Sequence, residues 1–176
     1  MALVVFMRGV NVGGHKSFRP AALAKEMAAL DVVNVGAAGT FVVRKKVSQA
    51  KLRAELNRRL PFKAELMICP GADLQSLVWT DPFAGQPIPK GAKRFVTVLG
   101  KRPGTLPRLP ILRPDAAEWQ VKVVGVTGKF ALSLWRRMGR TLVYPNEVVE
   151  KGFRVPATTR NWNTLEAIRD ILEMSG

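Results

Sequence analysis

The first 69 residues alternate between short apolar runs and longer amphipathic segments. Residues 2–8 form a β-branched apolar run, and KAELMIC at 63–69 forms another; both are typical of buried strands. Between them, VVNVGAAGTFVVRKK at 32–46 predicts two short strands around a Gly-Ala-Ala-Gly turn. Apolar residues at helical spacing predict one helix near Pro20 and a second from Ser48 to Pro61.

The predicted order is therefore strand, helix, strand, strand, helix, strand. This order is typical of the split βαβ, or ferredoxin-like, unit, with both helices on one face of a four-stranded antiparallel sheet. On the first strand, we expect Leu3, Val5 and Met7 to face the helices. Phe6 and Arg8 are then left on the open face.

The second half follows a weaker version of the same order. It begins with a strand at KRFVTVLG, 93–100, and continues into a segment at 101–118 whose four prolines permit only a short helix. A hairpin turning near Thr127 follows, then a helix at 144–152 stopped by its glycine, and a final helix at 163–174. We therefore predict an α/β (α+β) protein of two ferredoxin-like subdomains with antiparallel sheets, the second one degenerate.

The predicted domain boundaries follow from these elements. Residues 1–70 form the first subdomain, 71–92 a helix and a linker rich in Pro and Gly, and 93–176 the second subdomain with the C-terminal helix.

Composition adds a strong charge to this picture. The chain has 47% hydrophobic residues, which argues against disorder. Its 28 Lys and Arg against 13 Asp and Glu give a formal net charge of +15. Such a charge favours a polyanionic partner, although a generic basic surface is the alternative.

Little in the sequence predicts catalysis. Cys69 is the single cysteine and His15 the single histidine, and no metal-binding spacing occurs, so no cofactor or metal is predicted. One cysteine forms no internal disulfide, and no apolar run approaches the roughly 18 residues of a membrane span. We expect a cytoplasmic protein without a membrane partner.

A glycine-rich loop, GVNVGGHKS at 9–17, is a candidate anion site. It fails as a nucleoside-triphosphate P-loop, because His15 stands where the lysine is required and Lys16 comes one position late. An anion nest flanked by Arg8, His15 and Lys16 is the weaker hypothesis that survives. A plain tight turn is the alternative.

The topology of the first half also suggests RNA recognition, in which aromatic residues on the first and third strands stack on bases. Phe6 and Phe41 are the candidates here, although the signature of the third strand is matched only at Phe41 and Val42. The alternative is that both rings pack against the second half.

A polar motif, PATTRNWNT at 156–164, precedes the final helix. As a helix entry it offers Asn163 with Glu166 at capping-box spacing, or Thr158 or Thr159 as an earlier cap. Capping leaves Arg160 and Asn161 unexplained. They form either a structural clamp or a ligand site.

Four motifs resemble a known family. LVVFMRGVNVGGHK at 3–16, DPF at 81–83, YPN at 144–146 and VPATTRNWNTLEAI at 155–168 are together similar to the bacterial domain-of-unknown-function family 1697. The resemblance implies two ferredoxin-like subdomains and no established activity. The chain departs from the family pattern at AAGT, 37–40, where the family usually has QSGN.

Two functional hypotheses follow, with a structural or oligomerisation module as a third. The first is nucleic-acid or other polyanion binding, in which Trp119, Trp135 and Trp162 stand among basic residues. The second is a small anionic metabolite, bound or processed between the glycine loop and the TTRNWN motif. Its candidate ligand-binding residues are Arg8, Asn11, Gly13, Gly14, His15, Lys16, Thr159, Arg160, Asn161, Trp162 and Asn163.

Overall fold

The computed structural model describes residues 1–11, 14, 16–115, 117–140 and 142–174. Their helices and strands are β1 (Leu3–Arg8), α1 (Pro20–Glu26), a 3₁₀ turn (Ala28–Leu30), β2 (Val32–Asn34), β3 (Thr40–Val43), α2 (Gln49–Arg59), β4 (Glu65–Pro70), α3 (Gly71–Thr80), β5 (Lys93–Leu99), β6 (Ile111–Arg113), β7 (Val121–Thr127), β8 (Phe130–Trp135), α4 (Pro145–Phe153), β9 (Ala157–Asn161) and α5 (Trp162–Glu173).

The first sheet has the strand order β2-β3-β1-β4, and every neighbouring pair is antiparallel. This is the ferredoxin-like order, with β1 and β3 at the centre. Leu3, Val5 and Met7 join one buried cluster with Leu23 of α1 and Leu52 of α2, so both helices cover the same face. The predicted topology and strand facing of the first half are confirmed.

The second sheet has the order β6-β7-β8-β5-β9, and its pairs are also antiparallel. Strands β9, β5, β8 and β7 reproduce the same four-stranded arrangement, and α4 supplies the second crossover helix. The first crossover, which connects β5 to β7, contains no helix among its described residues. Strand β6 lies in this connection and pairs with β7 at the edge of the sheet. Val149 and Phe153 of α4 pack with Val121 and Ala131 of the sheet, so the predicted second, degenerate plait is confirmed.

Two local predictions in this half were wrong. Residues 157–161 form strand β9 rather than a helix entry, because their backbone pairs with β5 from Ala157 opposite Leu99 to Asn161 opposite Phe95. Helix α4 also passes through Gly152 and ends one residue later, with Arg154 in the left-handed conformation at φ 58°. Gly152 allows close packing, since a Cβ there would lie 2.9 Å from Ile111 Cδ1.

The chain divides into two compact units, residues 1–79 with 166–176, and residues 80–165. We call them the first unit and the second unit. This division differs from the predicted boundaries at 70 and 93. Most of α3 belongs to the first unit, and so does α5 from Glu166 onward: a Cβ on Gly71 would lie 2.9 Å from Leu172 Cδ2.

The described helices are short, α5 being the longest with 12 residues. Within the described part of the chain, no helix has both the length and the hydropathy that a membrane crossing requires.

Candidate functional site

The predicted base-stacking pair on the first sheet is not formed. Phe41 stands opposite Val5 in the register and lies in the helix-facing core, where its ring contacts Phe18. Phe6 stands opposite Thr40, one position along, so its side chain lies on the other face of the sheet. Both phenylalanines are buried. Neither ring therefore offers a surface on which a base could stack.

Arg8 and Asn11, two of the predicted ligand-binding residues, are engaged within their own unit. Arg8 forms an ion pair with Glu65 at 3.0 Å. Asn11, at φ 54°, donates its amide to the Ala37 carbonyl at 3.0 Å and accepts from the Phe18 backbone amide at 2.9 Å. The AAGT turn thus holds this loop in place.

The predicted anion site includes four further residues of this loop, Gly13, Gly14, His15 and Lys16. Gly14 has a positive φ of 79°, and its carbonyl accepts a hydrogen bond from the Ser17 hydroxyl. Lys16 is exposed and also has a positive φ. Gly13 and His15 lie outside the described residues.

Arg160 lies on β9 with 7% of its surface exposed. Its guanidinium donates to the Thr158 hydroxyl at 2.7 Å and to the Thr159 carbonyl at 2.9 Å. Burial lowers the pKa of Arg160 to about 10, which leaves the side chain charged at neutral pH. These contacts favour the clamp interpretation of this residue.

The rest of the motif enters α5 and anchors it. Asn161 is the cap, because its Oδ1 accepts from the Thr164 backbone amide at 2.9 Å; the predicted caps at Asn163, Thr158 and Thr159 were wrong. Trp162 is buried edge-on against Phe83 of the DPF turn, with ring centroids 5.3 Å apart. The Arg94 guanidinium lies 5.3 Å from the centroid of the same ring.

Three aromatic side chains enclose a pocket of about 270 Å³ in the second unit. We call it the aromatic pocket; its lining residues are Phe95, Trp135, Tyr144, Pro145, Asn146 and Thr159. Phe95 and Trp135 lie two register positions apart on the paired strands β5 and β8, and therefore share a face. The pocket brings the YPN motif together with Thr159 of the TTRNWN motif.

Hydrogen bonds fix the walls of the aromatic pocket. The Trp135 indole Nε1 donates to the Val143 carbonyl at 2.8 Å, and the Val143 amide donates to Gln120 Oε1 at 3.0 Å. Phe95 packs edge-on against Trp135, and Tyr144 stacks on the Trp135 ring. Trp135 therefore has both its ring plane and its hydrogen bond fixed in place.

A chain of hydrogen bonds runs through Thr159 and Asn146, two residues that line the aromatic pocket. The hydroxyls of Thr97 and Thr159 lie 2.7 Å apart, and Thr159 also donates to Asn146 Oδ1 at 2.8 Å. Asn146 in turn donates to Glu150, whose carboxylate accepts the Ala157 amide as well. This chain of hydrogen bonds ties α4 to β9 and β5.

A second concave feature, which we call the basic cleft, lies at the C-terminal end of α4. It has a volume of about 670 Å³ and is lined by residues 101–102, 104–107 and 152–155. Lys101, Arg102 and Arg154 are its charged lining residues; all three are exposed, and none forms an ion pair with another described residue. A smaller cleft with Arg113, Glu147 and Lys151 adjoins it at Gly152.

The net charge is unevenly divided between the units. Residues 80–165 contain 15 of the 28 Lys and Arg but 5 of the 13 Asp and Glu, which gives the second unit a net charge of +10. The remainder of the chain carries +5. The excess of positive charge is therefore greater in the second unit, which contains both the basic cleft and the aromatic pocket.

Comparison with known proteins identifies the family. The model of the family described as a protein of unknown function, DUF1697, matches residues 1–125. The chain belongs to this family. The match ends before the YPN and TTRNWN motifs, so the aromatic pocket draws most of its residues from outside the matched DUF1697 region.

A solved structure has a similar fold. The conserved bacterial protein SP0830 from Streptococcus pneumoniae is 17% identical, with a TM-score of 0.58, over 97% of this chain and 98% of that chain. No curated protein matches the chain. The likeness to SP0830 supports the α+β fold.

Sequence reasoning missed the aromatic pocket, although it singled out parts of it. Of the three tryptophans noted among basic residues, Trp119 is buried beneath the Arg136 guanidinium at 3.9 Å and Trp162 is buried against Phe83. Trp135 lines the pocket. The strand register that places it beside Phe95 could have been read from the alternation of the predicted strands. The contact between Trp135 and Tyr144 of the YPN motif could not be read from the sequence in this way.

The described residues contain no group of three or more His, Cys, Asp or Glu side chains placed to hold a metal ion.

Proposed function

We propose that the protein binds nucleic acid, RNA or DNA, through the basic surface of the second unit. The observation that carries the proposal is the basic cleft, whose charged lining residues are all cations. Nucleic acids are a class of biological polymer whose phosphodiester backbone presents anions at regular intervals to such a surface.

The electrostatics of the cleft suit phosphate contacts. Lys101, Arg102 and Arg154 are exposed and form no ion pair with a described residue, so a phosphate need not displace a carboxylate to reach them. The surrounding net charge of +10 attracts a polyanion over a Debye length of about 8 Å at physiological salt. The binding free energy therefore arises mainly from the release of counterions.

The anionic-metabolite hypothesis has less support from the geometry. Arg160 is buried and bonded to Thr158 and Thr159. Arg8 is paired with Glu65, and Asn11 holds the loop to Ala37. Three of its proposed ligand contacts thus already serve the fold of their own units.

A nucleic-acid partner agrees with a cytoplasmic location, which we also propose. Cys69 on β4 is a buried cysteine outside any disulfide, a state that a reducing compartment preserves.

The test is a titration of labelled RNA and DNA oligomers against the full chain over a salt series. For three phosphate contacts, affinity should fall roughly 20- to 40-fold between 50 and 200 mM salt. The double variant Lys101→Glu with Arg102→Glu should bind more weakly and show a shallower slope of log affinity against log salt.

The matched control is Lys45→Glu with Lys46→Glu, which makes the same charge change at two exposed lysines of the first unit. We expect it to weaken binding less and to leave the slope near that of wild type. Absence of binding at about 50 mM salt, or a flat slope, would overturn the proposal. Equal loss in both double variants would show that the cleft is not the site.

A further inference from the structure

We infer that the aromatic pocket receives one unstacked base of a single-stranded nucleic acid, with Tyr144 as the stacking surface. The inference rests on the proposed function and narrows it from nucleic acid in general to single strands. The sequence suggested base stacking on Phe6 and Phe41 of the first sheet. The inference places base stacking on Tyr144 of the second unit instead.

The size of the pocket suits a single ring system. Its volume of about 270 Å³ lies just below the roughly 300–1,000 Å³ of pockets that hold drug-sized ligands. A base inside a duplex is stacked on both sides and cannot enter, so the occupant must come from a single strand or a splayed end.

Tyr144 presents the ring that a base would meet. Its side chain is 52% exposed, although it is backed by the Trp135 ring at a centroid distance of 6.1 Å and an interplanar angle of 10°. A base stacked on Tyr144 would meet a ring that Trp135 already supports. Thr159 and Asn146 line the pocket with Tyr144, and their polar groups are engaged with Thr97 and Glu150, so stacking is the main contact to the base.

The charge beside the pocket has the sign that a phosphate needs. Lys93 is exposed, stands directly opposite Trp135 in the register of β5 and β8, and shares a face with Phe95. A base in the pocket would therefore leave its phosphate near an ammonium group. An uncharged aromatic metabolite would gain nothing from Lys93, and for this reason we commit to a nucleotide strand.

Little reorganisation accompanies binding, because the walls are already fixed. Trp135 is held by the Val143 carbonyl, and Asn146 by Thr159 and Glu150. A rigid aromatic surface loses little conformational entropy when a ligand stacks on it.

The test compares thymidine and uridine oligomers of about 12 nucleotides with an abasic oligomer of the same length and charge. Wild type should bind the two base-bearing oligomers roughly 5- to 100-fold more tightly than the abasic one. Tyr144→Ala should remove most of this preference with the salt slope unchanged, since it removes no phosphate contact. Tyr144→Phe should retain it, because the ring remains.

Trp79→Ala is the matched control, since Trp79 is 69% exposed and lies in the first unit. We expect it to behave as wild type. A wild-type protein that binds abasic and base-bearing oligomers equally, or a Tyr144→Ala variant that keeps the preference, overturns the inference while the proposed function stands. A wild-type protein that binds none of the oligomers at about 50 mM salt overturns both.

Discussion

The rings of Trp135 and Tyr144 lie parallel, with an interplanar angle of 10° and centroids 6.1 Å apart. One ring ends strand β8 and the other immediately precedes helix α4, so the stack joins two elements separated by a nine-residue connection. The indole Nε1 bond to the Val143 carbonyl fixes the same connection a second time.

Replacing Trp135 with Phe keeps an aromatic ring but removes this donor. The Val143 carbonyl then loses its indole partner, and we expect the free energy of unfolding to fall by about 1 kcal/mol. Urea denaturation measures the change. Trp79→Phe, at an exposed tryptophan, should shift stability by less than about 0.5 kcal/mol; similar losses in both variants would contradict the role given to the indole bond.

The cap of α5 can be tested against the cap that the sequence favoured. Asn161→Ala removes the acceptor of the Thr164 amide and should cost about 1 kcal/mol. Asn163→Ala, at the exposed second residue of the helix, should cost little or slightly stabilise. Thermal or urea unfolding distinguishes them, and a larger loss at Asn163 would restore the capping-box prediction.

The hydroxyl of Thr159 links Thr97 to Asn146 behind the aromatic pocket. Thr159→Val keeps the side-chain shape and breaks both bonds, so we expect a loss of about 1–2 kcal/mol. The same substitution at Thr127, an exposed residue at the end of β7, serves as control and should be close to neutral. If Thr159→Val is as mild as Thr127→Val, the hydrogen-bond chain contributes nothing to stability.

Arg160 should give stability a pH dependence at the alkaline end. Burial lowers its pKa in the folded protein to about 10, so the folded state holds this proton less tightly than the unfolded chain. The charged form therefore costs stability at all pH values below about 10, and the cost is relieved as pH rises from there toward the higher pKa of the unfolded chain.

The measurement is the difference in unfolding free energy between wild type and Arg160→Met. We expect this difference to be constant from about pH 7 to 9, and to move in favour of wild type by up to about 1.4 kcal/mol per pH unit above about 10. A slope already present near neutral pH would mean that another group is responsible.

Much of the fold could be predicted from local patterns. The apolar runs of β1 and β3, the helical spacing in α2 and the turn near Gly128 each depend on neighbours in the sequence, and the structure places them as predicted. Ser48 caps α2 as expected, because its hydroxyl oxygen accepts a hydrogen bond from the Lys51 backbone amide at 3.1 Å.

The misses share a physical cause, since each depends on a distant part of the chain. The polar strand β9 exists because β5 offers it a hydrogen-bonding edge, which no local propensity for Thr or Asn reveals. The sequence predicted Gly152 as a helix stop. In the structure Gly152 lies within α4, where the absence of a side chain leaves room for Ile111 of β6. Base stacking would require the rings of Phe6 and Phe41 on the same face of the sheet. Phe41 stands opposite Val5 rather than Phe6, so the two rings lie on opposite faces.

The central claim, that the second unit carries a nucleic-acid site, is tested most directly by photocrosslinking. A uridine oligomer containing 4-thiouridine would be irradiated with the full chain, and the crosslinked peptides identified by mass spectrometry. We expect crosslinks at Tyr144 or Trp135, with neighbouring peptides from the basic cleft. Crosslinks confined to residues 1–79, or none at protein concentrations that saturate binding, would contradict it.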